Sequence, residues 1–164
     1  MSPLMRDDEF ERLYAAEAQG LFGFLVYRTG DRALAEDLLA DTFERALRSR
    51  RRFDRRRGSE KTWLYAIALN LLRDHARRAA AEDRALERAT AGGATEGPGL
   101  EAVEHRDELQ RALAGLSAEE REAIALRFGA DMTVPEMAAA LGEPLTTVEG
   151  RVYRALRKLR DVLE

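Results

Sequence analysis

The chain contains no cysteine, and this absence excludes several kinds of chemistry together. Disulfide bonds, thiolate zinc sites and cysteine nucleophiles all need a thiol, and a chain without one suits the reducing cytosol. The sequence also lacks any run of apolar residues long enough to span a bilayer. Its first residues show no basic start followed by an apolar stretch, as a secretion signal would require. We therefore expect a cytoplasmic protein without membrane insertion.

Signals for β-structure are equally scarce. Val and Ile are few, and no segment alternates cleanly between apolar and polar residues. The chain is instead rich in Ala, Leu, Arg and Glu, which favour helices. Apolar residues make up 45% of the 164, enough to bury a core. The sequence predicts an all-α fold.

The net charge of −3 argues at first against a nucleic-acid partner. The charges are unevenly distributed, however. Residues 1–80 carry 16 Lys and Arg against 13 Asp and Glu, whereas residues 101–164 carry 9 against 13. Because the basic residues are clustered while the acids are spread, local patches can still attract phosphate.

The C-terminal segment reads as two helices joined by a tight turn. Thr133 and Glu136 have the spacing of a capping box at the start of the first helix, and Gly142 can adopt the left-handed conformation that ends it. Thr146 and Glu149 have the spacing of a second capping box. This pattern predicts a helix-turn-helix, whose second helix lies in the DNA major groove.

The last helix has an apolar side and a polar, largely basic side. The apolar stripe is formed by Val148, Val152, Ala155, Leu159 and Val162. The polar side carries Thr147, Arg151, Arg154 and Lys158 at intervals of four, three and four. Arginine at these positions could contact guanine edges or phosphates. An ordinary helical hairpin with a solvated basic face is the alternative reading.

Three helices are predicted in the first half, over residues 8–28, over residues 32–48 and from Ser59 onward. The second carries a dense charged face. Between the second and third lies a loop with seven arginines around Phe53, which we interpret as a phosphate contact rather than a merely solvated loop. The third presents a narrow polar stripe that includes Asn70, Arg73 and Arg77. Asn is unfavourable in the middle of a helix, so Asn70 suggests a hydrogen bond to a base edge or within the protein.

Glycine and proline mark a flexible linker between the halves. We expect one domain over residues 1–80, the linker over 81–100, and a second domain over 101–164. The second domain opens with a helix over residues 102–114, followed by a capping box at Ser117 and Glu120 and a helix that runs to Phe128.

Five segments in order narrow the interpretation: AEDLLADTFERAL, the basic loop, TWLYAIALNLLRD, LSAEEREAIALRF and TVPEMAAALGEPLTTVEGRVYRALRKL. They resemble regions 2.1–2.4 and 4.1–4.2 of the extracytoplasmic-function sigma factors of the sigma-70 family. The resemblance covers nearly the whole chain outside the first residues and the linker. Glu149, Gly150 and Leu156 depart from residues frequent in that family.

The resemblance implies a role for each region. The second helix would dock on core RNA polymerase through Glu36, Asp37, Leu38, Asp41, Phe43 and Arg45. The loop and third helix would hold the −10 promoter element through Phe53, Arg55, Arg56, Arg57, Asn70, Arg73 and Arg77. The last helix would read the −35 element through Thr147, Arg151, Tyr153, Arg154 and Lys158. The partners implied are core RNA polymerase, promoter DNA and an anti-sigma factor.

No Gly-rich phosphate loop, metal-ligand cluster or nucleophile–base pair is evident, so we expect no enzyme, cofactor or metal site. Two alternatives remain: a stand-alone helix-turn-helix regulator that needs no polymerase, and a sigma-like decoy that titrates an anti-sigma factor.

Overall fold

The computed structural model describes residues 5–89 and 104–163, and these form helices without any strand. The helices are α1 (Asp7–Thr29), α2 (Arg32–Ser49), α3 (Glu60–Ala89), α4 (Glu104–Ala114), α5 (Ala118–Ile124), α6 (Val134–Leu141) and α7 (Leu145–Leu163). A short 3₁₀ turn, Arg50–Arg52, follows α2, and a π-helical turn, Ala125–Gly129, follows α5. The expected all-α fold is confirmed.

In the N-terminal unit, helices α1, α2 and α3 pack around one core. The most deeply buried side chains include Leu21, Leu25, Leu64 and Tyr65, each at most 1% exposed. The Tyr65 ring lies 5.8 Å from the ring of Phe24. Burial raises the pKa of the Tyr65 hydroxyl well above its usual value.

Local signals fix most helix ends. Gly30 adopts a left-handed conformation at the end of α1, and its N–H donates to the carbonyl of Val26 at 2.8 Å. The carboxylate of Asp31 accepts from the N–H of Leu34 at 3.2 Å and caps α2. The hydroxyl of Ser59 accepts from the N–H of Thr62 at 3.1 Å at the start of α3.

Helices α4 to α7 form the C-terminal unit. Its core includes Leu126, Met132, Met137 and Val148, all 0% exposed. The capping boxes predicted at Ser117–Glu120 and at Thr133–Glu136 both form. Each supplies two hydrogen bonds to backbone N–H groups that the first turn of a helix leaves unpaired.

Two expectations about helix ends were wrong. Helix α3 extends to Ala89, because the segment over residues 81–89 is rich in helix-forming Ala, Glu and Arg, so the linker does not begin at residue 81. Residues 90–100 of the expected linker lie outside the described residues. Helix α7 begins at Leu145, and the N–H of Val148 already donates to the carbonyl of Pro144, so Thr146 lies inside the first turn rather than at a cap. The helix expected to run to Phe128 does reach that residue, although the regular α5 ends at Ile124 and the chain continues to Gly129 as the π-helical turn.

The two units touch along a seam that the sequence did not predict. Helix α6 packs against α3, and the π-helical turn packs against α1. Arg28 of α1 pairs with Glu122 of α5 at 2.8 Å. An apolar cavity of about 440 Å³ lies on this seam, lined by residues that include Gly23, Phe24, Ile124 and Phe128.

Candidate nucleic-acid interface

The turn between α6 and α7 has helix-turn-helix geometry. Gly142 adopts a φ of 66° and donates from its N–H to the carbonyl of Ala138, which ends α6. The N–H of Glu143 also donates to that carbonyl, at 3.1 Å. Because a left-handed residue reverses the chain within a few positions, α7 starts directly afterwards with its own direction.

Helix α7 buries one side and presents the other. Val148, Val152 and Ala155 are at most 7% exposed and pack into the core of the unit. On the exposed side, Tyr153 is 66% exposed, and Thr147, Arg154 and Lys158 are also exposed. Arg157 is exposed as well. This side offers a phenol, several cations and a hydroxyl, the groups that contact phosphates and base edges.

Arg151 does not lie on this exposed side, contrary to the position that the sequence predicts for it. The residue is 8% exposed, and its guanidinium donates to a carboxylate oxygen of Glu143 at 2.6 Å. Glu119 of α5 lies 3.8 Å away. A guanidinium held between two carboxylates beside the core fixes α7 on its own unit. The spacing of the polar residues did not reveal that Arg151 is buried, because Arg151 lies next to the apolar stripe rather than opposite it.

Lys158 is also engaged within the protein. Its ammonium donates to Glu120 at 2.7 Å, although half of its side chain stays exposed. The hydrogen bond from Lys158, followed by that from the Ser117 backbone, lowers the pKa of Glu120 to about 2. This pair joins the end of α7 to the start of α5.

Gly150 has a specific neighbour on the exposed side. A Cβ atom at this position would lie 3.2 Å from a guanidinium nitrogen of Arg154, closer than such contacts usually are. The guanidinium of Arg154 therefore lies over the backbone of Gly150. The departure from the family pattern noted at Gly150 leaves room for this conformation.

Of the residues predicted on α3, Asn70 and Arg77 are exposed. Arg77 lies 4.0 Å from Asp74. Arg73 is half-buried, and its guanidinium donates to the carbonyl of Leu141 in α6 at 3.2 Å. The polar stripe therefore exists on α3, but one of its residues, Arg73, is engaged by a hydrogen bond to α6.

The basic loop surrounds an aromatic core rather than an exposed ring. Phe53 is 6% exposed and lies 5.2 Å from the ring of Trp63, so it does not offer its face to a base, contrary to its predicted role. Phe53 is buried because Trp63, on the flanking α3, supplies an aromatic partner. Arg56 and Arg57 are exposed, and the backbone N–H of Arg56 donates to Asp54 at 3.0 Å.

Acidic residues at the start of α1 partly neutralise the loop. Arg50 pairs with Asp7, and Arg55 pairs with Glu9 and, at 3.4 Å, with Glu60. The hydrogen bond from Arg55 is the main cause that lowers the pKa of Glu9. Sequence reasoning missed Asp7 and Glu9 as partners because they are more than 40 positions away in the chain.

A cavity of about 230 Å³ opens between the loop, α3 and α6. Its lining includes Arg52, Asp54, Arg57, Ser59, Trp63 and Ala139. It combines an aromatic side chain, two cations and hydrogen-bonding groups, a set suited to a nucleobase that has left its stack.

The expected polymerase-docking residues divide into two groups. Glu36, Asp37, Asp41 and Arg45 are exposed on the outer side of α2. Leu38 and Phe43 are 5% and 6% exposed and belong to the core, which corrects their assignment as contact residues. The Phe43 ring packs edge-on against the ring of Tyr14 at 4.8 Å. Leu38 and Phe43 therefore hold α2 in place from its buried side.

Within residues 5–89 and 104–163, no group of three or more His, Asp or Glu side chains is placed to hold a metal ion. Among the described helices, none is long and apolar enough to cross a membrane.

Comparison with known proteins agrees with the order of the two units. The Sigma-70 region 2 family matches residues 13–82, and the Sigma-70 region 4 family matches residues 106–159. The RNA polymerase sigma factor CarQ of Myxococcus xanthus is 35% identical over 158 residues, which cover 95% of this chain and 90% of CarQ. The ECF RNA polymerase sigma factor BldN of Streptomyces coelicolor is 32% identical over 160 residues, 95% of this chain, and the chain spans 61% of the length of BldN.

Solved structures show the same arrangement. The sigma factor RpoE of Bartonella quintana, in complex with the anti-sigma factor NepR, matches with a TM-score of 0.76 and 25% identity, over 95% of this chain and 97% of that one. CnrH, in complex with the cytosolic domain of CnrY, matches with a TM-score of 0.68 and 28% identity, over 96% and 89%. With two matched regions, a 35% identical relative matched over 90% of its length and the same fold, the chain belongs to the extracytoplasmic-function sigma factors of the sigma-70 family.

Proposed function

We propose that this protein is a promoter-specificity subunit of RNA polymerase, which binds the core enzyme in the cytoplasm and catalyses no reaction itself. The observation that carries the proposal is the exposed side of α7, which presents Tyr153 and Arg154 directly after a helix-turn-helix turn. In such motifs the second helix enters the major groove with its exposed side toward the bases.

The −35 element would be read by α7. Arg154 is the candidate for a bidentate contact to guanine, since its guanidinium is exposed on that side, and such a contact contributes about 1–3 kcal/mol of discrimination. Thr147, Tyr153 and Lys158 would contact phosphates or base edges beside it. Arg151 would act indirectly by holding α7 against α5 and the turn.

The −10 element would be held by the N-terminal unit. A base released from the stack would enter the cavity beside Trp63, while Arg56, Arg57 and Arg77 would contact the backbone of the separated strand. Asn70, exposed on α3, would hydrogen bond to a base edge. Unstacking a base costs a few kcal/mol, which contacts to phosphates and to polymerase would offset.

The outer side of α2 would dock on core polymerase. Glu36, Asp37, Asp41 and Arg45 are exposed there, while Leu38 and Phe43 fix the helix from below. An anti-sigma factor would regulate the protein by covering these surfaces. Two structurally similar sigma factors were solved with such a partner or with a fragment of a partner protein, which supports this expectation.

The experiment that tests the proposal is transcription with purified components. Core RNA polymerase, this protein and genomic DNA fragments are mixed, and the 5′ ends of the transcripts are sequenced. We expect starts that share two upstream motifs at fixed spacing. Transcripts with no shared upstream motif, or identical starts without the protein, would contradict the proposal.

A matched pair of variants separates promoter reading by Arg154 from a general effect of removing one positive charge. Arg154→Ala removes a cation from the exposed side of α7, and Arg12→Ala removes one from α1, where it pairs with Asp8. We expect Arg154→Ala to weaken initiation at motif-containing promoters about 10-fold or more, whereas Arg12→Ala leaves it unchanged.

A further inference from the structure

Gly150 lies in the second turn of α7, at the centre of its exposed side. A helix rotates by about 100° per residue, which places Gly150 on the far side of the helix from the buried Val148, Val152 and Ala155. Glycine is one of the least favourable residues in a helix interior, because it loses the most backbone freedom on folding. Its presence at the centre of this side therefore needs a reason.

The space that a side chain at position 150 would fill is taken by Arg154. A Cβ atom at position 150 would lie 3.2 Å from a guanidinium nitrogen of Arg154 and 4.0 Å from its central carbon. The Arg154 side chain therefore runs back along the helix toward its N-terminal end, the direction that long helical side chains favour. Its guanidinium lies about one turn closer to the start of α7 than its own Cα does.

Arg154 has no competing partner among the described residues, unlike two other cations of α7. Arg151 donates to Glu143 at 2.6 Å. Lys158 donates to Glu120 at 2.7 Å. Arg154 takes part in no hydrogen bond or ion pair with the described part of the chain. Its guanidinium therefore keeps its N–H groups for a ligand, and their fork matches the O6 and N7 acceptors of guanine.

We propose that Gly150 positions Arg154 for reading the −35 element and thereby sets the base preference of this protein. This inference rests on the proposed function, since it assigns the exposed side of α7 to promoter DNA. With no side chain at position 150, the guanidinium lies toward the N-terminal part of α7, where the second helix of a helix-turn-helix contacts base edges. A side chain there displaces it by a few tenths of an ångström or more, whereas a binding constellation tolerates only about half an ångström.

A glycine at this position could instead let the helix backbone approach the DNA, whatever residue stands at position 154. A double-mutant cycle distinguishes the two roles, because residues that act through one another have non-additive effects. The cycle compares the unchanged protein with Gly150→Ala, Arg154→Ala and the double variant. Gly23→Ala is the control, because it replaces a helical glycine of α1 where an added Cβ meets no atom within 4 Å.

The measured quantity is the base preference at each −35 position. Core polymerase transcribes a library made from a promoter identified by its transcript starts, with the −35 positions randomised, and barcoded transcripts are counted by sequencing. We expect the unchanged protein to prefer guanine at one position and Arg154→Ala to reduce that preference about 10-fold or more. Gly150→Ala should reduce it at least about threefold at the same position, and should add nothing to the loss in Arg154→Ala. Gly23→Ala should leave the preference unchanged.

The melting temperature separates positioning from folding. Because alanine is favoured over glycine in a helix, Gly150→Ala should melt at the temperature of the unchanged protein or slightly above it. Its loss of base preference then cannot come from unfolding. A lower melting temperature would assign Gly150 to packing and overturn the proposal.

Three results of the cycle would also overturn the proposal. Gly150→Ala could leave the base preference unchanged. It could cause the same loss whether or not Arg154 is present, which would show that the glycine acts through the backbone. It could weaken transcription equally for every −35 sequence, which would show a general contact to DNA. These results leave the proposed function standing, whereas an unchanged protein that ignores the −35 sequence would contradict the proposed function and the role of Gly150 together.

Discussion

The role of Arg151 yields the sharpest test, because its position in the sequence suggests DNA reading and its position in the structure suggests support. We predict that Arg151→Ala destabilises the C-terminal unit. The change removes a charged hydrogen bond of 2.6 Å and leaves Glu143, with 28% of its side chain exposed, without that partner. Charged hydrogen bonds contribute about 1.5–3 kcal/mol, and loss of the buried aliphatic stem adds to the cost. We therefore expect a loss of about 2–3 kcal/mol in the free energy of unfolding.

The assay is urea unfolding, followed through hydrogen exchange of the α7 amides, which reports on this unit separately from the Trp63 side. Arg154→Ala is the matched control. It removes the same charge from the same helix at an exposed position, and such substitutions change stability by less than about 0.5 kcal/mol. If Arg151→Ala is as stable as Arg154→Ala and only promoter binding falls, then Arg151 reads DNA and the structural reasoning is refuted.

Three further predictions concern stability. Gly142→Ala should cost about 1–2 kcal/mol of unfolding free energy, because a φ of 66° strains any residue with a Cβ; a melting temperature equal to that of the unchanged protein would contradict this. Ser117→Ala should cost about 1 kcal/mol in chemical denaturation by removing a capping box, and Ser117→Asp, which can still cap, should recover most of it. The pKa of Glu120 is depressed from 4.5 to about 2, so its ion pair with Lys158 contributes full stability above pH 4.5 and loses it progressively as the pH falls toward 2. Between these pH values, the free energy of unfolding should therefore depend more steeply on pH than it does in Glu120→Gln. Identical pH profiles would argue against the ion pair.

Much of the fold could be predicted because its determinants are local. Capping boxes at Ser117 and Thr133, and the left-handed glycine at Gly142, act within a few residues of where they occur. The same reasoning failed at Thr146, because α7 already begins at Leu145, directly after Pro144. Where two possible helix starts lie close together in the chain, the backbone geometry of the turn decides where the helix begins.

The site was harder to predict, since burial depends on partners far away in the chain. Periodicity places Arg151 on the polar side, but only the packed unit reveals Glu143 and Glu119 around it. Phe53 was expected to help hold the −10 element, but its ring is buried against that of Trp63. The contact between α6 and α3 has no local signal, because it joins residues about 70 positions apart.

The central claim is that this chain works as part of RNA polymerase. Its most direct test is the binding of purified protein to core enzyme, measured by mass photometry, with Asp37→Lys plus Asp41→Lys as the variant that reverses charge on the outer side of α2. The account predicts a one-to-one complex with the unchanged protein and a much weaker one with the double variant. A folded protein that stays separate from core polymerase would contradict it.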